Sequence, residues 1–215
     1  MCRIDYANDI SYDKLEVKKI SLKSCAEMRI KMRVSREAVI RTASELIDEK
    51  GLYQVALKDV ADKLGIRTPS LYNHIDSLDE LLHEVAHAGM RAMNTQMMQS
   101  VLGKTAKDAL KAAAVEYLNY MILHPGIYET IQWISFHGTK ETEALLEQYH
   151  SLLQVLVRSC DFPSEKTSEI VDMFTGLLHG YTTQQLGKAL KTPDPVRSQL
   201  CLAIDALLTG IPLVL

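Results

Sequence analysis

Apolar residues recur every three or four positions along most of this chain, and strictly alternating runs are scarce, so the pattern predicts helices throughout. The first clear period begins at Ser35. Val39, Ile40, Ala43, Leu46 and Ile47 share one face, Ser35 offers an N-cap, and Gly51 follows Lys50 as a stop. These signals predict a helix over 35–50. A short helix over 57–64 would bury Val60, Ala61 and Leu64. Gly65 then turns the chain. Thr68 caps the next helix, and Pro69 takes its first position, where a missing N–H costs nothing. That helix runs PSLYNHI, with Leu71 and Ile75 facing inward. Helix, Gly turn, helix is the layout of a helix-turn-helix. Ser77-x-x-Glu80 forms a capping box that opens a long helix over 77–102. Further helices are predicted at 104–123, 125–137, 139–160, 164–190 and 194–209, with Pro125 and Asp194-Pro195 as restart points.

The predicted fold class is all-α. A three-helix, helix-turn-helix domain covers 35–80 and a larger helical body covers 81–215, with the boundary inside the long helix. Residues 1–34 show no period and form an extension, with Met28 or Met32 as an alternative start.

Composition narrows the class. Of 215 residues, 47% are apolar and 24% charged, enough for a sizeable core and unlike a disordered chain. No apolar run approaches the ~20 residues of a membrane-spanning helix. The first residues, MCRIDYANDISYDK, lack the apolar centre of a signal peptide. Cys2, Cys25, Cys160 and Cys201 are scattered and fit reduced thiols in a cytoplasmic protein. Charge is uneven. Residues 14–41 hold nine Lys/Arg and three Glu, a net +6 in a chain of net −3. A basic N-terminal region on an acidic body suits a nucleic-acid partner.

One motif points elsewhere. His83-Glu84-x-x-His87 has the spacing of a zinc peptidase, in which two histidines grip a metal and the glutamate activates water. On a helical wheel, Leu78, Leu82, Val85 and Gly89 define the buried side, and His83 and His87 fall on the far side. The extended motif wants Gly at 90 and His at 93, where Met90 and Met93 stand, and only the distant Glu116 offers a third ligand. Both histidines are therefore expected on the surface, with no metal and no cofactor.

The segments "SREAVIRTASELIDEKG", "LKDVADKLGIRTPSLYNHIDS" and "LDELLHEV" resemble the TetR family of bacterial transcription regulators. Gly51, Val60, Ala61, Leu64, Gly65, Leu71, Tyr72, His74 and Ile75 carry the match over about 48 residues. "YLNYMILHPGIYETIQW" and "GLLHGYTTQQL" look like a subgroup with a His-Pro-x-x-Tyr segment and a His-Gly pair, a "WHG"-type C-terminal domain. Two positions depart from the family pattern. Ala56 stands where a capping Thr is usual, and Leu78 where a phosphate-binding Lys is usual. Each removes one backbone contact.

The resemblance implies a DNA-binding regulator and no enzyme. Arg67, Thr68, Ser70 and Asn73 would face base edges, with Pro69 on the same surface. Arg can fork onto guanine and Asn onto adenine. Tyr72 and His74 would hold phosphates, and Lys58 would add a contact from the preceding helix. Such proteins bind operator DNA as homodimers on two half-sites. Two late apolar stripes fit that role: Ile170, Phe174, Leu177, Leu178 and Tyr181, and Val196, Leu200, Ile204 and Leu207, with Gly176 and Gly180 permitting close approach. The middle helices would hold a small, mostly apolar effector among Met93, Met97, Tyr117, Tyr120, Trp133, Phe136, His137, Phe174 and His179. The expected activity is a repressor released by that effector. The competing readings are the zinc peptidase and a helix-turn-helix protein that senses no small molecule.

Overall fold

The computed structural model describes residues 34–160, 162–190 and 195–214, and the side chains of this last stretch only as far as Gly210. All but the last residue of the extension over 1–34, with Cys2, Cys25 and most of the basic segment, lies outside these residues, as does the Asp194 cap. Residues 35–215 form a compact unit by themselves.

Helix α1, Arg36–Lys50, starts where the sequence places it: the Ser35 hydroxyl accepts from the Ala38 N–H at 3.2 Å. It stops at Gly51, whose φ of +91° suits a residue without a Cβ. A single 3-10 turn, Leu52–Gln54, leads to α2, Leu57–Leu64. Gly65 closes α2 in the left-handed conformation, and Ile66 N–H returns to the Ala61 carbonyl at 3.0 Å. Helix α3 is shorter than expected, Thr68–Leu71, with Arg67 rather than Thr68 at the N-cap position. Residues 72–74 continue as tighter turns, and the Arg36 guanidinium binds the His74 carbonyl at 2.7 Å. Leu71 and Ile75 are buried, as their spacing predicts.

Helix α4, Leu78–Ser100, runs unbroken from the N-terminal three-helix unit, the head, into the body. Ser77 accepts from the Glu80 N–H at 3.0 Å, but Glu80 returns its carboxylate to Asp76 N–H instead of Ser77, and also to Arg36. The wheel fails here. Helix α4 packs against α1, α5 (Ala106–Leu123), α6 (Pro125–Ile134) and α7 (Lys140–Arg158), so its buried residues occupy several sides. His87 is only 3% exposed and His83 is half-buried against Trp133. The expectation of two surface histidines is thus corrected.

Helix α8, Thr167–Leu186, packs on α5 and α7, and α9, Val196–Val214, packs on α5 and α8. The helices end within a few residues of the predicted positions, except that α8 stops at Leu186 and α9 runs to Val214. No described helix is long and apolar enough to cross a membrane.

Helix α6 is the link between head and body. Pro125 opens it, and Asp48 of α1 caps it: one carboxylate oxygen accepts from Gly126 N–H at 2.9 Å and Ile127 N–H at 3.1 Å, and the other meets His124 Nδ1 at 2.8 Å. Glu129 accepts from the Leu52 N–H at 3.2 Å. An anionic group at a helix N-terminus satisfies orphan N–H groups and the helix dipole together.

Candidate nucleic-acid interface and effector cavity

The candidate DNA-facing surface is the short helix α3, held by buried anchors. Leu71 and Ile75 are 0% and 1% exposed, and between them Tyr72 turns outward with 54% exposure. That settles Tyr72 as a surface aromatic. Lys58, Arg67, Pro69 and Asn73 are also exposed, while Thr68, Ser70 and His74 are half-buried. The side chains named from the sequence therefore gather on and beside one short helix.

Charge on this head is unevenly available. Lys50 is held by Asp59 at 3.0 Å, and Lys63 by Glu45 and Glu49 at 3.2 and 3.1 Å. Arg36 spends itself internally on His74, Glu80 and Glu84, and the Glu80 bond is the chief cause that raises its pKa. Among the described residues, Lys58 and Arg67 make no ion pair, so both cations can approach phosphate or base. Ala56 gives no side-chain cap. Instead Asp59 accepts from the Ala56 N–H at 2.9 Å, and this bond lowers the Asp59 carboxyl below its ordinary range. The helix start is thereby satisfied without the usual threonine, but by a carboxylate that offers nothing to a phosphate. Leu78 begins α4 half-buried.

A cavity of about 350 Å³ lies in the body between α4, α5, α6, α7 and α8. Met90, Met93, Tyr117, Met121, Ile131, Leu146 and Tyr149 make its walls, and Gln132, Ser135, His150, Thr175 and His179 supply polar tips. Burial pushes the Tyr149 phenol up to about 12 and the Tyr117 phenol higher still, so both stay neutral. An apolar wall with scattered neutral donors and acceptors suits an uncharged organic molecule.

Of the nine residues proposed from sequence for an effector, this cavity brings together Met93, Tyr117 and His179. Met97 and Phe174 are fully buried core and do not line it. Tyr120 lines a separate groove between α1 and α4. Trp133, Phe136 and His137 line an outer groove with Tyr53, and Phe136 is 86% exposed. Helical periodicity marks burial, and it does not separate a filled interior from a hollow one. Met90, Met121, Tyr149 and Thr175 escape a sequence reading for that reason.

Two quoted segments meet here. Tyr128 of the His-Pro-x-x-Tyr segment places its hydroxyl 2.9 Å from Nδ1 of His179, in the His-Gly pair, and 2.6 Å from the Thr183 hydroxyl. His124 of the same segment holds Asp48. One short helix therefore touches the cavity at one end of its contacts and α1 at the other.

The proposed dimer stripes are partly corrected. Phe174, Leu200 and Ile204 are 0% exposed within one chain, so they serve its own core. Leu177, Tyr181 and Leu207 are half-buried, and Gly176 and Gly180 have open space where a Cβ would stand. Met173 on α8 and Leu202 on α9 are 51% and 72% exposed.

Comparison with known proteins agrees with this architecture. Residues 39–85 match the family described as bacterial regulatory proteins, tetR family, and residues 110–207 match the tetracyclin repressor-like C-terminal domain. The chain is 29% identical over 185 residues to the HTH-type transcriptional regulator YobS of Bacillus subtilis (strain 168), covering 86% of this chain and 96% of YobS. A protein from Rhodococcus sp. RHA1 superposes with a TM-score of 0.73 at 17% identity, covering 82% of this chain and 94% of that one. A single-substitution variant of TetR from Acinetobacter baumannii AYE, in complex with minocycline, superposes with a TM-score of 0.60 at 20% identity, covering 82% and 95%. With the short helix α3, the long connecting helix and both matched regions in place, the chain belongs to the TetR family of DNA-binding transcriptional regulators.

Proposed function

We propose that the protein is a homodimeric repressor, working in the cytoplasm, that leaves its operator when a small, mostly apolar molecule fills the cavity between α4 and α8. The observation that carries this reading is helix α6. Ile131 and Gln132, with Ser135 at the helix end, line the cavity, while the N-terminus is capped by Asp48 and Glu129 holds Leu52. A molecule that shifts α6 must also shift α1, and with it the reading helix. The match to tetracycline repressor class C of Escherichia coli, 36% identical over 63 residues and covering 29% of each chain, supports a repressor. The Acinetobacter structure, in complex with minocycline, supports a small-molecule ligand.

On the DNA, Arg67, Thr68, Ser70 and Asn73 read base edges with Pro69 beside them, and Lys58, Tyr72 and His74 fix register on phosphates. The half-buried and exposed residues of α8 and α9, with Leu177, Tyr181, Leu207, Met173 and Leu202 at the centre, join the two copies. Effector and operator then oppose each other by the same factor, whichever binds first.

A plugged cavity tests the sensing half. Leu146 lines the cavity from α7, half-buried and away from the α8 and α9 surface that joins the two copies. Leu146→Trp is expected to keep dimerisation and operator affinity while losing the response to any molecule that releases the wild type. Uncharged organic molecules are titrated against the protein–operator complex to find such a ligand. If the plugged variant responds as the wild type does, the effector binds elsewhere.

A further inference from the structure

The peptidase spacing at residues 83–87 does not make an enzyme of this chain, but it leaves an unexplained group in the interior. His87 is 3% exposed, and its Nδ1 has no hydrogen-bond partner. Its other nitrogen, Nε2, stands 2.8 Å from the Thr142 hydroxyl oxygen. That oxygen also accepts from the Thr139 N–H at 3.1 Å and lies 3.3 Å from the Thr139 hydroxyl. With Nε2–H donating to Thr142 and the Thr142 hydroxyl donating to Thr139, Nδ1 is left as a bare lone pair; in the other tautomer Thr142 donates to Nε2 and Nδ1–H is left over. Either way Nδ1 is held in a fixed direction inside the protein with no hydrogen-bond partner. A buried nitrogen in that state is costly unless something binds it.

What it faces is a pair of carboxylates. Glu141, at the start of α7, turns Oε2 to within 3.6 Å of Nδ1, and its other oxygen is held by Arg91. Glu84, one helical turn before His87, lies on the same face of α4. One ligand atom from each of Glu84, His87 and Glu141 can be chosen so that all lie within 4.8 Å of one another. Ligands around a zinc-sized ion sit about 3.4 Å apart, so a small rotation of the two carboxylates closes the set. The orienting bond from the far ring nitrogen is what metal-binding histidines ordinarily have.

We infer that Glu84, His87 and Glu141 form a binding site for one divalent first-row ion of borderline softness, such as zinc, that fastens α4 to the start of α7. One imidazole and two carboxylates suit such an ion and leave positions for water. No hydrolysis is implied. Occupation has a consequence for the head, because Glu84 also pairs with Arg36 at 3.1 Å, and Arg36 holds the His74 carbonyl. An ion that draws on Glu84 loosens one of the bonds by which Arg36 ties α4 to the reading helix. That consequence rests on the operator reading above. Binding of the ion itself does not, so the two can fail separately.

The test uses the full chain, stripped with chelator, and zinc(II) or cobalt(II) alone. We expect one ion per chain, read from the cobalt visible absorption and its displacement by zinc. Glu141→Gln alters an exposed carboxylate and is expected to weaken binding at least about tenfold while leaving the metal-free melting midpoint unchanged. His87→Gln is expected to abolish the cobalt spectrum. His137→Ala, an exposed histidine outside the cluster, is expected to leave it intact. No stoichiometric binding by the wild type overturns the site. Wild-type affinity retained in both Glu141→Gln and His87→Gln overturns it too, because the ion then sits elsewhere, on Cys2 or Cys25 for example.

Discussion

Gly126→Ala is expected to cost at least about 3 kcal/mol of stability and to loosen the reading head from the body. A Cβ built at Gly126 lies 2.2 Å from the Ile47 carbonyl oxygen, 2.4 Å from its carbon and 2.7 Å from the Asp48 nitrogen. All three are backbone atoms of α1, so no side-chain rotation relieves the clash. The helices must part. Parting pulls the Asp48 carboxylate away from Gly126, Ile127 and His124, and the α6 N-terminus loses its cap as well. Chemical denaturation measures the stability, and hydrogen exchange in α1 locates the damage. A midpoint unchanged from wild type would mean that α1 and α6 do not approach as described.

Phe174→Ala has an effect of similar size for a different reason. The ring is 0% exposed within a single chain, and truncating a buried phenylalanine costs about 3–5 kcal/mol through lost transfer energy and the cavity left behind. For a chain of this length, that lowers the melting midpoint by roughly 6–20 °C. The sequence pattern places Phe174 in two other roles, as effector wall and as dimer contact. The outcomes differ. A core residue gives a shift of the same size at every protein concentration, with the purified variant still dimeric. A dimer contact would give dissociation on dilution with little loss of monomer stability. Analytical ultracentrifugation beside the melting curves separates them.

The head is largely legible in the sequence because its signals are local. Ser35, Gly51, Gly65 and Ser77 each fix one helix end through a cap or a left-handed turn, and those causes act within a few residues. Leu71 and Ile75 are buried as their spacing requires. The length of α3 is not legible, since what holds its end is Arg36, nearly forty residues earlier.

The body shows where local pattern stops. A wheel assumes one wet face, and α4 is enclosed by four helices, so His87 reads as exposed and is buried. The α8 and α9 stripes read as a dimer contact, yet Phe174, Leu200 and Ile204 are covered by their own chain, while Leu177, Tyr181 and Leu207 are half-buried. Periodicity says that a residue is covered and leaves open by what. The most informative contacts, Asp48 to the α6 N-terminus and Tyr128 to His179, join residues more than fifty positions apart. Both involve the His-Pro-x-x-Tyr segment, so the resemblance points to the right place and geometry gives that place a role.

Operator binding by the surface of α3 is the central claim. The measurement is a gel-shift titration, at fixed salt, against the DNA immediately upstream of the protein's own gene, with wild type, Arg67→Ala, Tyr72→Ala and His83→Ala. Wild type is expected to bind tightly. Arg67→Ala loses about 1–3 kcal/mol and relaxes preference at one base pair. Tyr72→Ala weakens all sequences about equally, and His83→Ala binds as the wild type does. If wild type binds that DNA and Arg67→Ala and Tyr72→Ala bind it equally well, the reading surface has been placed on the wrong face and the claim is contradicted.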